Sequence, residues 1–173
     1  IGDPPEECGH PFTIRFAEST DLWNWALTPS DCVYSKDRYT ACPYIRYVED
    51  DGYYYMIYLE SLPGWGYVPY IARSTDLVKW VRSQVNPVLI FDDTEDKKLG
   101  NHFFTPEERT RIDNALDINN SDFDMCEFLG YTVIYYSWGN QTGVEFLAEA
   151  VYEGSVDEFL QGFYEEWDGG VTC

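Results

Sequence analysis

Apolar and polar positions alternate through much of this chain, and the alternating runs end at Gly, Asp or Pro. Phe12-Thr13-Ile14-Arg15-Phe16 alternates strictly and predicts a half-buried strand between Pro11 and Ala17. Cys42 to Val48 and Tyr53 to Leu59 are rich in β-formers and are separated by Glu49-Asp50-Asp51-Gly52, which predicts a hairpin. Gly64-Trp65-Gly66 reads as a loop, Val68 to Ala72 as the next strand, and Val88-Leu89-Ile90-Phe91 as a short one. Phe123 to Phe128 and Tyr131 to Trp138 predict a second hairpin around Leu129-Gly130. Val144 to Tyr152 reads as a further strand, although its Ala and Glu would also allow a helix. Two helices carry start signals. Thr105-Pro106-Glu107-Glu108 joins a capping box to a Pro at the first helical position, for a helix to about Leu116. Ser155 and Glu158 make a second capping box before a short C-terminal helix.

One stretch occurs twice. Ser19-Thr20-Asp21-Leu22-Trp23-Asn24-Trp25 returns as Ser74-Thr75-Asp76-Leu77-Val78-Lys79-Trp80, 55 residues later (74 − 19). Each copy follows a strand-like run, Phe16-Ala17-Glu18 and then Ile71-Ala72-Arg73. In such turns the Ser and Asp side chains bond local backbone N–H groups, while Trp25 and Trp80 are expected to bury between repeated units. The glycines of the two hairpin turns are 78 apart (130 − 52), and the helical insertion at Thr105 to Leu116 accounts for the surplus over 55. Strand, turn, strand and hairpin, repeated once, is how successive antiparallel blades of a propeller read.

The residues Ala72-Arg73-Ser74-Thr75-Asp76-Leu77-Val78-Lys79-Trp80, together with Asp51-Gly52-Tyr53-Tyr54, resemble the blade signature of five-bladed glycoside hydrolases. The arabinanase/xylosidase family 43, the invertase-like family 32 and the neoagarobiose-hydrolase family 117 share that signature. The resemblance covers most of residues 12–165. It implies an all-β, five-bladed β-propeller-like fold, present as a partial propeller of about two and a half blades in one domain over residues 1–173, with a short helical insertion and a C-terminal helix. It also implies a missing remainder, supplied by a second chain from the same precursor or by a homo-oligomer, possibly through a disulfide. The start at Ile1, with no signal region, reads as a processed chain or fragment.

Composition narrows the function classes. A net charge of −20 disfavours nucleic acid and anionic membrane surfaces as partners. No run of 18 apolar residues offers a membrane span. Fifteen Tyr and six Trp suit both a packed β fold and surfaces that stack on sugar rings. Five cysteines without a CxxC pair argue against zinc, and an odd count leaves one thiol free or paired to another chain, with Cys8 or Cys173 placed to reach outwards. Asn119-Asn120-Ser121 and Asn140-Gln141-Thr142 fit the N-glycosylation sequon, and with the cysteines they point to a secreted protein. Asp92 to Asp96 lacks EF-hand spacing, so no metal and no cofactor is expected.

Glycoside hydrolysis needs two carboxylates, and in propellers these come from the starts of innermost strands. Cys42 and Asp122 fall level if the longer turn at Glu49 to Asp51 is absorbed. Family 32 places its acid as Glu-Cys-Pro, whereas here the residue is Ala41. Asp122 is the first catalytic candidate. Asp124 would share its strand face, and two close carboxylates would raise one pKa. Glu60, at the end of a Tyr-rich strand, is the third, with Glu145 and Glu149 weaker still. Substrate-binding candidates are Trp65 and Trp138 for stacking, Gln141 and Asn140 for hydroxyls, Arg46 and Arg73 for hydroxyls or a carboxylated sugar, and His102 at the mouth. The reading is a secreted glycoside hydrolase-like protein using carboxylate acid/base chemistry. The alternative is a non-catalytic carbohydrate-binding or structural propeller subunit, which Ala41 favours.

Overall fold

In the computed structural model the described residues are 12–28, 39–62, 66–90, 99–100, 103–140 and 143–165. They form strands β1 (Ala17–Glu18), β2 (Ala26–Leu27), β3 (Thr40–Val48), β4 (Tyr53–Leu62), β5 (Gly66–Ser74) and β6 (Val81–Arg82). Helix α1 (Pro106–Asp113), strands β7 (Asn119–Phe128), β8 (Tyr131–Gly139) and β9 (Glu145–Glu153), and helix α2 (Val156–Gly162) follow. Together they make a partial propeller. Blade one is represented by β1 and β2, blade two by β3 to β6, and blade three by β7 to β9 with α2. Blades two and three are each antiparallel, and a single parallel pair, Tyr67↔Asn119, joins them.

The 55-residue repeat is a repeat of hydrogen-bond register. Ala17 pairs with Leu27 and Glu18 with Ala26, while Ala72 pairs with Arg82 and Arg73 with Val81. The intervening turns share their Ser-to-Asp, Asp-to-backbone and indole-to-carbonyl bonds. Asp76 Oδ1 accepts the N–H groups of Val78 (2.9 Å) and Lys79 (2.7 Å), and Asp21 Oδ1 accepts those of Trp23 (2.9 Å) and Asn24 (2.8 Å). These backbone donors hold both carboxyls below the usual carboxylate range, Asp21 well below it. Leu22 and Leu77 take φ of 64° and 59°, and each carbonyl receives the indole N–H three residues on.

Blade two also repeats as blade three. Val48 pairs with Tyr53 across a four-residue turn, and Phe128 with Tyr131 across a two-residue turn. That difference of two converts an offset of 80 in β3/β7 into 78 in the following strands. Blade three then leads into α2 where blade two has its Ser-Thr-Asp-Leu turn. Both helices have the expected capping boxes. α1 stops at Asp113, short of Leu116, because Asn114 caps it and returns its side-chain amide to the Thr110 carbonyl.

Packing explains the stacking of blades. In β4, Tyr55 and Ile57 join Ile71, Phe123, Met125, Ile134 and Leu160 in a core between blades two and three. Met56 and Tyr58, on the opposite face, join Ile14 and Ala72 with Phe16 and Trp80 in a core between blades one and two. Gly66 sits where the second junction is tightest. At its φ of 132° a Cβ would lie 2.1 Å from the Ile118 carbonyl oxygen, which accepts the Tyr67 N–H.

Three expectations are corrected. Of residues 12–16 only Ile14 is buried, Phe12 being 41% exposed, and the ladder to β2 covers only Ala17 and Glu18, extended by one backbone bond from Thr28 to Phe16. Residues 88–90 form no strand, because the Asn86 side chain takes both backbone groups of Ile71 on the edge of β5 and leaves Val88 a single bond to Pro69. Trp25 is 60% exposed, whereas Trp80 stacks on Phe16 at 5.5 Å and 13°. Phe91 and the acidic run 92–96 lie outside the described residues.

The two tryptophans therefore separate by context. Trp80→Ala should cost about 2 kcal/mol, less than a fully buried aromatic. Trp25→Ala should stay within about 0.5 kcal/mol, as expected of an exposed side chain. Urea denaturation of the two variants checks the contrast.

Candidate functional site

Two unusual backbone positions meet at the junction of blades two and three. Cys42 and Asp122 have φ of 50° and 55°, conformations that non-glycine residues seldom take. Each lies in a register shift, between Ala41 and Tyr44 in β3 and between Ser121 and Asp124 in β7. The equivalence of Cys42 and Asp122 read from the sequence is thus a repeated bulge, a device that re-aims a side chain at a strand's end.

The bulges turn the two side chains towards each other. The Cys42 thiol faces both the carboxylate and the backbone N–H of Asp122 and interacts with each. Asp122 Oδ2 also accepts from Ser121 Oγ at 2.8 Å and Ser137 Oγ at 3.2 Å. Partial burial opposes ionisation, but these three donors prevail and hold Asp122 below the ordinary carboxylate range. Burial first, and the facing carboxylate second, push the Cys42 thiol up to about 12. The rise expected of a close carboxylate pair is not seen at Asp122, which thiol and hydroxyl donors shift down. Asp124 accepts the Met125 N–H at 2.9 Å.

A cleft of about 400 Å³ opens beside Cys42, lined by residues 12–15, Leu27 and Thr40, Ala41, Cys42 and Pro43. Phe12 is the aromatic residue of that lining, and two tyrosines stand behind it. Phe12 lies 4.9 Å from Tyr39, which meets Tyr67 edge-on at 5.8 Å. Burial raises the Tyr39 pKa, with Cys42, Tyr67 and Asp122 adding to the effect, so Tyr39 belongs to the same neighbourhood. No carboxylate lines the cleft among the described residues. Ala41 does line it.

The other candidates lie as follows. Glu60 pairs with Thr40 at the cleft end of β4, but it is 5% exposed, accepts from Tyr58 at 2.9 Å and lies 3.2 Å from Arg82. Burial with a cation makes it a packed ion pair. Arg46 is four residues beyond Cys42, about 13 Å along a strand, where it bonds Asp157 at the start of α2 and approaches Glu127 at 3.9 Å. Arg73 lies over the rings of Tyr53 (4.4 Å) and Tyr164 (4.2 Å), at the same far end of the blade. Trp138 is half-buried beside Ser137 and opposite Asn120, so it shares Asp122's end of blade three on the other face of the sheet. Glu145 approaches the Asn119 amide at 3.5 Å, and Glu149 accepts from Tyr135. Trp65, Gln141 and His102 lie outside the described residues.

The sequence reading missed Tyr39, Tyr67, Phe12 and Ser137 as members of this neighbourhood. Only the level placement of Cys42 with Asp122 pointed to it. Cys42 and Cys126 are free thiols; Cys8, Cys32 and Cys173 lie outside the described residues. Asn119 is 2% exposed inside β7, so its sequon is closed to a glycan in the folded chain.

Sequence comparison with family models and with curated proteins gives no match. Solved structures do match. A protein described as a glycoside hydrolase has 17% identity and a TM-score of 0.55, over 81% of this chain and 36% of its own. BT0996, in a structure described as an RGII complex, has 17% identity and a TM-score of 0.56, with the same coverages of 81% and 36%. The GH32 beta-fructofuranosidase BmSUC1 of Bombyx mori has 15% identity and a TM-score of 0.50, over 79% of this chain and 25% of its own. This chain spans about a third or less of each. The likeness is one of fold: the chain has the architecture of part of a propeller-type glycoside hydrolase.

Thiol reactivity tests the Cys42–Asp122 contact. At pH 8 iodoacetamide should modify exposed Cys126 at least about tenfold faster than Cys42, since the thiolate is the nucleophile. Asp122→Asn removes the negative charge that helps raise the thiol's pKa, so Cys42 labelling should accelerate in that variant. Peptide mass mapping reads both rates.

Proposed function

We propose that this chain supplies one side of a carbohydrate site in a secreted glycoside hydrolase-type propeller, with Asp122 as its ionised carboxylate. The observation that carries the reading is the Asp122 bulge. A carboxylate held by Cys42, Ser121 and Ser137, at the start of a strand beside an aromatic-bordered cleft, is kept charged and aimed. The fold likeness supports the chemical class.

A carboxyl with a lowered pKa is ionised at neutral pH and cannot hand a proton to a leaving oxygen. Its roles are to take a proton from water, to stabilise positive charge developing on the sugar ring, or to accept from a sugar hydroxyl. Phe12 offers a sugar the aromatic ring of the cleft lining. The proton-donating acid would then come from outside the described cleft residues, because Ala41 occupies the position nearest to the family 32 pattern. The same Ala41 favours a second reading, a propeller that binds sugar without hydrolysing it. In the secreted setting the sequon at Asn140 is the one open to modification, and glycan mapping of natural material should find Asn119 bare.

Asp122→Asn separates the readings. It is assayed in the assembled natural protein with arabino-, xylo- and fructo-oligosaccharides. For a hydrolase, turnover should fall by about 10²–10⁴-fold, the usual contribution of a positioned acid or base, with oligosaccharide affinity little changed. For a binding propeller, the unmodified protein turns nothing over and the variant binds more weakly. If turnover and affinity both stay the same, Asp122 has no place in the site.

A further inference from the structure

The 55-residue repeat leaves one segment over. Residues 26–39 lead from the first Ser-Thr-Asp-Leu turn to β3, whereas residues 81–118 lead from the second to β7 and hold α1. That extra length is anchored at Asp122's end of blade three. Arg111 of α1 donates to the carbonyl of Gly143, between β8 and β9, and the Phe104 ring, just before the helix, meets Phe146 edge-on at 5.7 Å. Phe146 pairs with Trp138, and Trp138 with Asn120, two residues short of Asp122. Paired residues share a sheet face, so Trp138 and Phe146 extend the face that Ile134, Tyr136 and Ala150 turn towards blade two. Asp122 opens to the same junction, because it meets Cys42 of blade two.

We propose that this insertion builds an outer length of the sugar site, in which Trp138, Phe146 and Phe104 form an aromatic row that holds further units of a neutral oligosaccharide bound at Asp122. The inference rests on the carbohydrate site proposed above and adds its substrate class, a chain of several uncharged sugars.

Three observations support that ligand. The row is long: strands about 4.8 Å apart and the 5.7 Å step to Phe104 carry it about 15 Å from β7, beyond the reach of one sugar ring. Its rings are placed to meet a ligand. Trp138, Phe146 and Phe104 are half-buried and lie outside both cores described above, and Phe103 beside them is 87% exposed. Such rings cover the apolar face of a sugar and leave its hydroxyl rim in water. Charge selects among sugars: the three rings bring no cation, and a net charge of −20 repels an acidic chain.

Chain length is the readout. Phe104→Ala, Phe103→Ala and Asp122→Asn are made in the assembled natural protein, with thermal unfolding of each recorded. Calorimetry then measures affinity for arabino-, xylo- and fructo-oligosaccharides from the disaccharide upwards. The unmodified protein should bind the longer members of one series more tightly than its disaccharide. Phe104→Ala should weaken long chains about fivefold, the worth of one aromatic contact, and leave the disaccharide unchanged. Phe103→Ala, at an exposed position that folding tolerates, should act in the same sense and more weakly. The inference is overturned if affinity does not rise with length, or if both variants leave long chains unaffected. It is overturned equally if the variants weaken the disaccharide as much as the long chains, the result of a purely structural role. Asp122→Asn keeps the two readings apart, because it should alter turnover or affinity at every length. An active Asp122 with a flat length profile sinks the aromatic row alone. A silent Asp122 with a length-dependent loss at Phe104 sinks the assignment of Asp122 and leaves the row standing. No binding in any series overturns both.

Discussion

β4 has no face for solvent, and the rest of the structure follows from that. Residues 55–60 are buried without a break, with Tyr55 and Ile57 on one side and Met56 and Tyr58 on the other. A strand buried on both faces needs a layer on each. Here the layers are blade one, through Ile14 and Phe16, and blade three with α2, through Phe123, Met125, Ile134 and Leu160. The stack of blades is the consequence, and the repeated turns mark where each one ends.

Stacking in turn builds the candidate site. Bringing blade three against blade two requires the close approach of Gly66 to Ile118 and the single parallel pair Tyr67↔Asn119. That seam sets the starts of β3 and β7 near each other, and matching bulges then turn Cys42 and Asp122 inwards. The electrostatics follow from the donors so gathered. A carboxyl that would shift upwards beside another carboxylate shifts downwards beside a thiol and two hydroxyls. What the site can do is therefore set by its neighbours in the adjacent blade.

Local signals were the legible part of the chain. Both capping boxes stand where the spacing put them, both hairpins turn at Asp51-Gly52 and Leu129-Gly130, and the 55-residue repeat is an identity of register. The misses share one cause, a partner that pattern alone does not name. Residues 88–90 have strand composition, yet the Asn86 amide had already taken the Ile71 edge. Arg46, Arg73 and Glu60 carry charges suited to a ligand, and each is engaged by protein groups. Trp25 has the same sequence context as Trp80 and a different exposure, because exposure depends on the neighbouring blade.

By itself the sequence determined the β class, the blade period, the turn chemistry and the level placement of Cys42 with Asp122. Each of these is a short-range property, fixed by backbone preferences and side-chain bonds within a few residues. Tertiary structure alone decided that Asp122 is held ionised, that Phe12 lines the cleft with Tyr39 and Tyr67 packed behind it, and that one face of blade one stands open while its copy is covered. Those properties belong to contacts between residues far apart in the chain. Desolvation, hydrogen-bond partners and coverage exist only once the blades have met.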